Sequence, residues 1–456
     1  MTLSQESFIP YSVTKPKPCI SSGVPFPQAV AHHLIHTLKA HKPYLIVSKS
    51  ISKTQDFVKL KRALNDAEHG LEIAGIRFGI SSHTPWEEVL EVVRDARECG
   101  ADALVTLGAG SLTDGGKVIA LVSLYFLFFW SGAVGEVYME KSRVANTIPI
   151  QALANNASTH DELAQLSADE VERSGRKVNP CQVPMINIPT SLSGGEYSSL
   201  AGVTDEQSRE KVMFLHGDMG AEIVVLDPQL CESTPERVWL SSGIRAVDHC
   251  VEGLGYLGRE GREDGVEEFR KGLRLLVPSL LVTKTEKENA DARMKSMWGV
   301  VEAMKGLGNG VQMGASHGMG HQLGPFGVGH GETSCIFLPQ VLKFNARHAP
   351  STSNPSHVLD PQKAILSLLW AETPVKSVLE KRGLSQETAD AGDVIGAIVD
   401  ELGLPRTLKD VGVGRDKFDA LTKNCLKDRW LATNPVPVTT KEQVREILEM
   451  CAGDGK

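Results

Sequence analysis

From Tyr44 onward, short apolar runs alternate with amphipathic stretches: YLIVS, TQDFVKLKRALNDAE, GIRFGIS, PWEEVLEVVRDAREC and ADALVTLG follow one another. The runs of about five residues, rich in β-branched side chains, predict strands; the stretches with apolar residues three and four apart predict helices. Parallel strands need a crossover long enough for a helix, so this alternation predicts a parallel sheet. Two more runs, PMINIP ending at Pro189 and AEIVVLD ending at Asp227, extend it. Residues 1–227 are therefore expected to form an α/β domain.

After Asp227-Pro228 the period changes. PERVWLSSGIRAVDHCVEGLGY, VEEFRKGLRLLVPSLLV, ARMKSMWGVVEAMKGLG, DVIGAIVDELG and KEQVREILEMC carry helical spacing, with Gly or Pro between them. No strand is predicted there, and residues 228–456 are expected to be all-helical. A chain of 456 residues suits two cores better than one.

One stretch breaks the pattern. Val118 to Gly135, VIALVSLYFLFFWSGAVG, carries no charge and gathers most of a cluster of aromatics in a chain otherwise poor in them. As a membrane span it would lack a second span to return the chain. Two other readings stay open for residues 122–151. Val122-Ser123, Ala145-Asn146 and Gln151 can be encoded as the donor, branch-point and acceptor signals of a short retained intron, whose removal keeps the reading frame and joins DGGKVIAL to ALANNAS. The alternative is a genuine surface insertion.

Composition narrows the class. With 41% hydrophobic and 23% charged residues the chain reads as globular, and a net charge of −8 offers no field for a polyanion. No nucleic-acid partner and no membrane are expected. The eight cysteines are dispersed without a CxxC pair, as reduced thiols would be. The N-terminus lacks the apolar core of a signal peptide, so a cytoplasmic protein is expected.

Two loops carry candidate chemistry. Between the strand ADALVTLG and an apolar helical pattern lies Gly108-Ala109-Gly110-Ser111-Leu112-Thr113-Asp114-Gly115-Gly116-Lys117. Glycines at such a turn let backbone N–H groups approach a pyrophosphate, and the following helix N-terminus favours its charge. A tight turn alone would also explain the loop, which is not GxGxxG. The second loop, Thr190-Ser191-Leu192-Ser193-Gly194-Gly195-Glu196, follows MINIP at a strand end, where open α/β sheets bind ligands. Farther on, His317 and His321 stand four apart on one helical face, and His330 follows a Gly/Pro-rich loop.

These motifs resemble those of the iron-containing alcohol dehydrogenases. GAGSLTDGGK is similar to their GGGSxxDxAK loop, IPTSLSGGE to their IPTTxxxGSE loop, and HGMGHQLGPFGVGH to their HxxxH…H segment; the short second loop is closest to the maleylacetate reductase-like branch. SSGIRAVDHCVEG and NPVPVTTKEQVREIL match the opening and closing segments of the helical half. The resemblance implies a dinucleotide-binding α/β domain, a helical metal and substrate domain, and hydride transfer between NAD or NADP and an alcohol, aldehyde or oxo-acid. It implies metal ligands at His249, His317 and His330 for Fe2+ or Zn2+, with His321 as the histidine beside the nicotinamide. Cofactor contacts fall to Lys49, Gly108, Ala109, Gly110, Ser111, Asp114, Thr190, Ser191, Leu192 and Lys211. A homo-oligomer, in the first place a dimer, is expected.

One departure changes the expected chemistry. Where the family has an Asp ligand, four residues before His249, this chain has Arg245. A guanidinium cannot ligate a metal, and about 4 Å from a dication it is repelled by roughly 8 kcal/mol at an effective dielectric near 20. Either Arg245 swings away, or it replaces the metal by gripping a substrate carboxylate or steadying an oxyanion. Asp248, about 100° around the helix from His249, is expected to be a poor substitute ligand. Likewise LIVSK places Lys49 where the family's NAD-selecting acid would stand, which admits a 2′-phosphate. The expected function is an NAD(P)-dependent alcohol dehydrogenase or carbonyl reductase of the maleylacetate kind. The competing reading is a degenerate, non-catalytic dinucleotide-binding member. A lyase on the same scaffold would need phosphate-binding cations that are not found.

Overall fold

A computed structural model describes the chain apart from residues 1–2, 4, 13–16, 67–69, 82–83, 123–154, 156, 158, 182, 207–209 and 454–456. It divides into two compact units, residues 1–190 with 195–230, and residues 191–194 with 231–456.

Among the described residues the first unit has nine strands: β1 (Ser7–Pro10), β2 (Cys19–Ser22), β3 (Pro43–Val47), β4 (Gly75–Phe78), β5 (Ala103–Gly108), β6 (Met185–Pro189), β7 (Leu200–Asp205), β8 (Glu210–Leu215) and β9 (Ile223–Leu226). Seven form one sheet in the order β1-β2-β9-β6-β5-β3-β4. Every pairing in it is parallel except β1 with β2. Strands β3, β5, β6 and β9 are buried throughout, which is why they read as continuous apolar runs rather than alternating ones.

Helices α1 (Phe26–His33), α2 (Gln55–Leu64), α3 (Trp86–Glu98) and α4 (Ser111–Val122) belong to this unit, with the short α5 (His160–Ala164) and α6 (Ala168–Ser174). Phe26, Val30, Phe57, Leu60 and Leu64 join Leu45, Val47, Val105, Leu107 and Ile186 in one core. Burying each such side chain contributes about 1.5–3 kcal/mol. Periodicity does not predict β1 and β2, which are four residues long, with β1 at the sheet edge, nor the β7–β8 hairpin, whose strands form a separate two-stranded sheet. The segment 122–151 lies outside the described residues from Ser123 on. Its flanks meet: Asn155 Nδ2 donates to the carbonyl of Leu121 at 2.9 Å.

The second unit contains helices and no strand among the described residues. They are α7 (Glu236–Glu260), α8 (Val266–Thr285), α9 (Ala290–Leu307), α10 (Ala315–His321), α11 (His330–His348), α12 (Pro355–Trp370), α13 (Thr373–Lys381), α14 (Ala391–Glu401), α15 (Phe418–Cys425), α16 (Trp430–Thr433) and α17 (Lys441–Met450). α7 is buried on all sides from Trp239 to Leu254. Gly243 and Gly253 admit α8 against it, since a Cβ at either would stand 2.4 Å and 2.3 Å from Leu280 and Phe269. A second core packs Met319, Phe337, Phe344, Phe418, Leu421 and Ile447 around α10, α11, α15 and α17. Pro278, Pro339 and Pro361 lie inside α8, α11 and α12, although proline ordinarily signals a helix break; the apolar spacing around Pro278 still reads as a helix, whereas α11 and α12 are not among the helices that spacing predicts. No helix among the described residues is long and apolar enough to cross a membrane.

Candidate functional site

Three helices of the second unit converge their polar residues. α7 carries Arg245, Asp248, His249 and Glu252 at positions i, i+3, i+4 and i+7, one polar stripe within the stretch of the helix that is buried from Trp239 to Leu254. α10 brings Ser316, His317 and His321, and α11 brings His330, Thr333 and Ser334.

Arg245 does not swing away. Its guanidinium is 3% exposed and donates through Nη2 to His330 Nε2 at 3.0 Å, and through Nη1 to Ser334 Oγ at 3.1 Å and Thr333 Oγ1 at 3.4 Å. Because His330 Nε2 accepts this bond, the ring is neutral and carries its proton on Nδ1. The other half of the cluster is carboxylate-bound. His317 Nδ1 lies 3.0 Å from Asp248 Oδ2 and 2.9 Å from Glu252 Oε2. Asp248 Oδ2 also accepts from Ser316 Oγ at 2.9 Å and Ser334 Oγ at 2.6 Å, while Glu252 accepts the backbone N–H groups of Gly314 and Ser316. His249 stacks on His317 with ring centroids 4.8 Å apart. Asp248 Oδ1, His249 Nδ1 and His317 Nε2 are buried without a hydrogen-bond partner.

The charges follow from these contacts. Burial and Arg245 oppose a protonated His317, yet Asp248 and Glu252 lift its pKa above the ordinary histidine value. Burial works against ionised Asp248, but His317, Arg245 and Ser334 hold its pKa below the carboxylate range. Burial, then Asp248, push Glu252 upward. Burial, then His317 and Arg245, drive His249 well down, so it is neutral. His321 is lowered chiefly by burial, against the pull of Asp428, whose Oδ2 lies 2.8 Å from His321 Nδ1.

The metal expectation meets this arrangement directly. Asp248, Glu252 and His317 present ligand atoms within 4.8 Å of one another and form a group that could hold an ion. Those atoms are already hydrogen-bonded to each other, and an ion among them would displace the His317 Nδ1 proton. The expected set of His249, His317 and His330 fits worse, because His330 Nε2 is taken by a permanent cation. By formal charge Arg245 and His317 already balance Asp248 and Glu252; a dication would add two uncompensated charges. The residues present do not fit the family's metal. Asp248 corrects its sequence expectation in another respect: the 100° offset from His249 turns it into the cluster, because the cluster spans both flanks of that stripe.

In the first unit, the Gly-rich loop joins β5 to α4 as expected. Gly108 has φ +154° and Gly110 φ +39°. A Cβ on Gly108 would stand 2.9 Å from Leu112 and 3.1 Å from Ser48, so glycine here lets the end of β3 close on the loop. Thr190 N donates to Gly108 O at 3.1 Å and Ser48 N to Leu107 O at 2.9 Å. The C-terminal ends of β3, β5 and β6, with Lys49, Gly108, Ala109, Gly110, Ser111 and Thr190, thus lie together, and the cradle suits a dinucleotide phosphate. Asp114 is engaged by the fold, accepting Gly202 N at 3.3 Å and standing 3.6 Å from Lys117 Nζ. Lys211 stands on β8 in the two-stranded sheet. Ser191 and Leu192 fall in the second unit, where Leu192 N donates to Ser242 Oγ at 3.0 Å.

Comparison with known proteins agrees with this architecture. The iron-containing alcohol dehydrogenase family matches residues 26–177, and the C-terminal part of the Fe-containing alcohol dehydrogenase family matches residues 239–452. The chain belongs to the iron-containing alcohol dehydrogenase family, a family of oxidoreductases. Dehydrogenase FUM7 of Gibberella moniliformis is 38% identical over 463 residues, spanning 99% of this chain and 100% of that protein. Dehydrogenase ALT3 of Alternaria alternata is 37% identical over 423 residues, 89% and 98% of the two chains. The fold is shared with maleylacetate reductase from Agrobacterium tumefaciens, at TM-score 0.65, 21% identity and 95% coverage of each chain. It is shared too with sulfoacetaldehyde reductase from Bifidobacterium kashiwanohense in complex with NAD+, at TM-score 0.70 and 16% identity, over 96% of this chain and 97% of that one.

Sequence reasoning missed Glu252, Ser316, Thr333, Ser334, Asp428 and Trp430. The first four carried a signal: Glu252 continues the polar stripe of α7, and the hydroxyls stand beside or within a helical turn of His317 and His330. Asp428 and Trp430 carried none, being brought to His321 by packing alone.

Proposed function

We propose that the protein is an NAD(P)-dependent oxidoreductase that interconverts an alcohol and a carbonyl compound, and that Arg245 takes the place of a metal as the electrophilic group. The observation that supports this is the Arg245–His330 contact at 3.0 Å, with Nη1 spent on Ser334 and Thr333. With those donors engaged, the guanidinium is poorly placed to grip a carboxylate through both Nη atoms. It is well placed to polarise His330 and to stabilise negative charge developing on a carbonyl oxygen.

The dinucleotide, when bound, supplies or accepts the hydride. In the reductive direction the carbonyl π-electron pair moves onto oxygen as the C–H bond forms, and Arg245 and His317 provide positive potential for that oxygen. His321, having taken a second proton from solvent, delivers it through Nε2 and returns to the neutral ring that keeps its Nδ1 proton, yielding the alcohol; oxidation reverses each transfer. The loop residues Gly108 to Ser111 and Thr190 hold the phosphates, and Lys49 favours NADPH. An oxo-acid of the maleylacetate kind is the substrate class we assign, on the likeness of the short Thr190–Glu196 loop to the maleylacetate reductase-like branch and not on a carboxylate grip by Arg245.

The test is turnover with NADH and NADPH across aldehydes and oxo-acids, after exhaustive dialysis against a chelator. Full retention of activity is expected. Stoichiometric metal whose removal abolishes turnover would take the electrophilic role from Arg245. Saturable tryptophan quenching by NADPH with no turnover on any substrate would favour the non-catalytic reading, which the loss of the family's Asp ligand supports.

A further inference from the structure

Asp428 lies on the turn between α15 and α16. Its carboxylate, 13% exposed, is held at both oxygens: Oδ1 accepts the backbone N–H of Trp430 at 3.0 Å, and Oδ2 faces His321 Nδ1 at 2.8 Å. The approach is close enough that a Cβ on Gly318 would stand 3.1 Å from Oδ1. The Trp430 ring, fixed by that turn, packs against His321 at 4.8 Å between centroids and against His317 at 5.8 Å.

An ionised carboxylate only accepts, so His321 must carry a proton on Nδ1. Nε2 is then the nitrogen that exchanges a proton with the reacting oxygen. We propose that Asp428 is a positioning residue: it fixes the tautomer and orientation of His321, with Trp430 as the wall that keeps the ring in plane for transfer. This rests on the reading of His321 as the proton relay. The logic is that of a carboxylate behind a catalytic imidazole, where the acid orients the ring and takes no proton itself.

Asp428→Asn and Asp428→Ser test it; serine can still cap the start of α16 but is too short to reach His321. Both variants should lose kcat by on the order of 100-fold. The dissociation constant for NADPH, read by tryptophan quenching, should move less than about threefold, and Asp428→Glu should recover part of the loss. In protein carrying 15N-histidine, with the His321 signals assigned by their absence in His321→Gln, the resting enzyme should show Nδ1 protonated. Asp428→Asn should shift the signals toward the Nε2-protonated form. An unchanged tautomer overturns the proposal, and so does a changed tautomer with undiminished kcat. If the native protein turns over no substrate, the functional reading fails, while the nitrogen shifts still decide whether Asp428 sets the His321 tautomer.

Discussion

Each unit of this molecule buries a cation beside two carboxylates, and the two clusters are put to different use. In the first unit Lys117, fully buried, donates to Ser198 Oγ at 3.1 Å and Leu200 O at 2.7 Å, with Asp114 at 3.6 Å and Glu196 nearby. Two hydrogen bonds and the nearby Asp114 carboxylate hold the ammonium, and the cluster ties the loop before β7 to α4 beneath the Gly-rich turn; one oxygen, Glu196 Oε2, is left without a partner. In the second unit Arg245 faces a histidine, and the cluster leaves Asp248 Oδ1, His249 Nδ1 and His317 Nε2 without partners. The first cluster spends its cation on the backbone and leaves one atom unpartnered; the second leaves three, polar atoms ready for a guest. The comparison predicts that substitutions in the first will cost stability and substitutions in the second will cost turnover.

The largest effect should come from Lys117→Met. Removing one partner of a buried charge set leaves the others uncompensated, at about 3–5 kcal/mol. Urea unfolding should show that loss as a lower midpoint with an unchanged slope. A loss below about 1 kcal/mol would mean that Lys117 does not brace the loop before β7.

Arg245→Ala should do the reverse. We expect kcat to fall by roughly 10²–10³, about 3–4 kcal/mol of transition-state stabilisation, with NADPH affinity kept. Arg245→Asp restores the family's carboxylate and should turn the cluster into a metal site. Elemental analysis of that variant should find near-stoichiometric Fe or Zn where the native protein has little. Equal metal content in both would break the argument that the guanidinium excludes a dication.

How much of this was legible beforehand depends on whether local pattern or packing decides. Strands β3, β5, β6 and β9 and helices α3, α7, α8 and α9 were legible, because a period of 3.6 or a short β-branched run states its own environment. The short strands β1 and β2 were not, since β2 is placed by its pairing with β9 and β1 by its pairing with β2, and not by their own composition. At the site, His317, His321, His330 and Arg245 were visible as types at a spacing. The sequence left open whether Arg245 swings out or stays; burial at 3% exposure and three acceptors within 3.4 Å decide it. Asp428 is 107 residues from His321, and no spacing rule joins two positions so far apart.

Glu196 sharpens the comparison through pH. Burial lifts its pKa above the ordinary 4.5, against the pull of Lys117 and the Thr113 hydroxyl. A folded state that holds a proton more tightly than the unfolded chain is favoured below pH 4.5, and the advantage is lost as pH rises through the folded value. Stability of the native protein relative to Glu196→Gln should therefore decline as pH rises above 4.5, by up to about 1.4 kcal/mol per pH unit within that window. A difference that is flat or rises with pH would show Glu196 ionised in the fold. Arg245 offers no such handle, since it does not titrate in the working range.

The smallest effect belongs to Lys49, at the exposed rim of the first unit. Gly79, at φ +79°, has no side chain, and a Cβ there would lie 2.8 Å from Lys49 Cγ and 3.0 Å from Cε. The lysine stem therefore rests on the backbone after β4, and the proposed role of its ammonium is to meet a 2′-phosphate. A single solvent-exposed charge pair contributes about 1 kcal/mol. Lys49→Ala should lower the NADPH to NADH ratio of kcat/KM about fivefold, with the change confined to the NADPH arm. Screening shortens with added salt, so the native preference should shrink toward that of the variant at 1 M ionic strength, where the Debye length is about 3 Å. A preference indifferent to both salt and Lys49 would place 2′-phosphate selection elsewhere, on groups buried enough to escape screening.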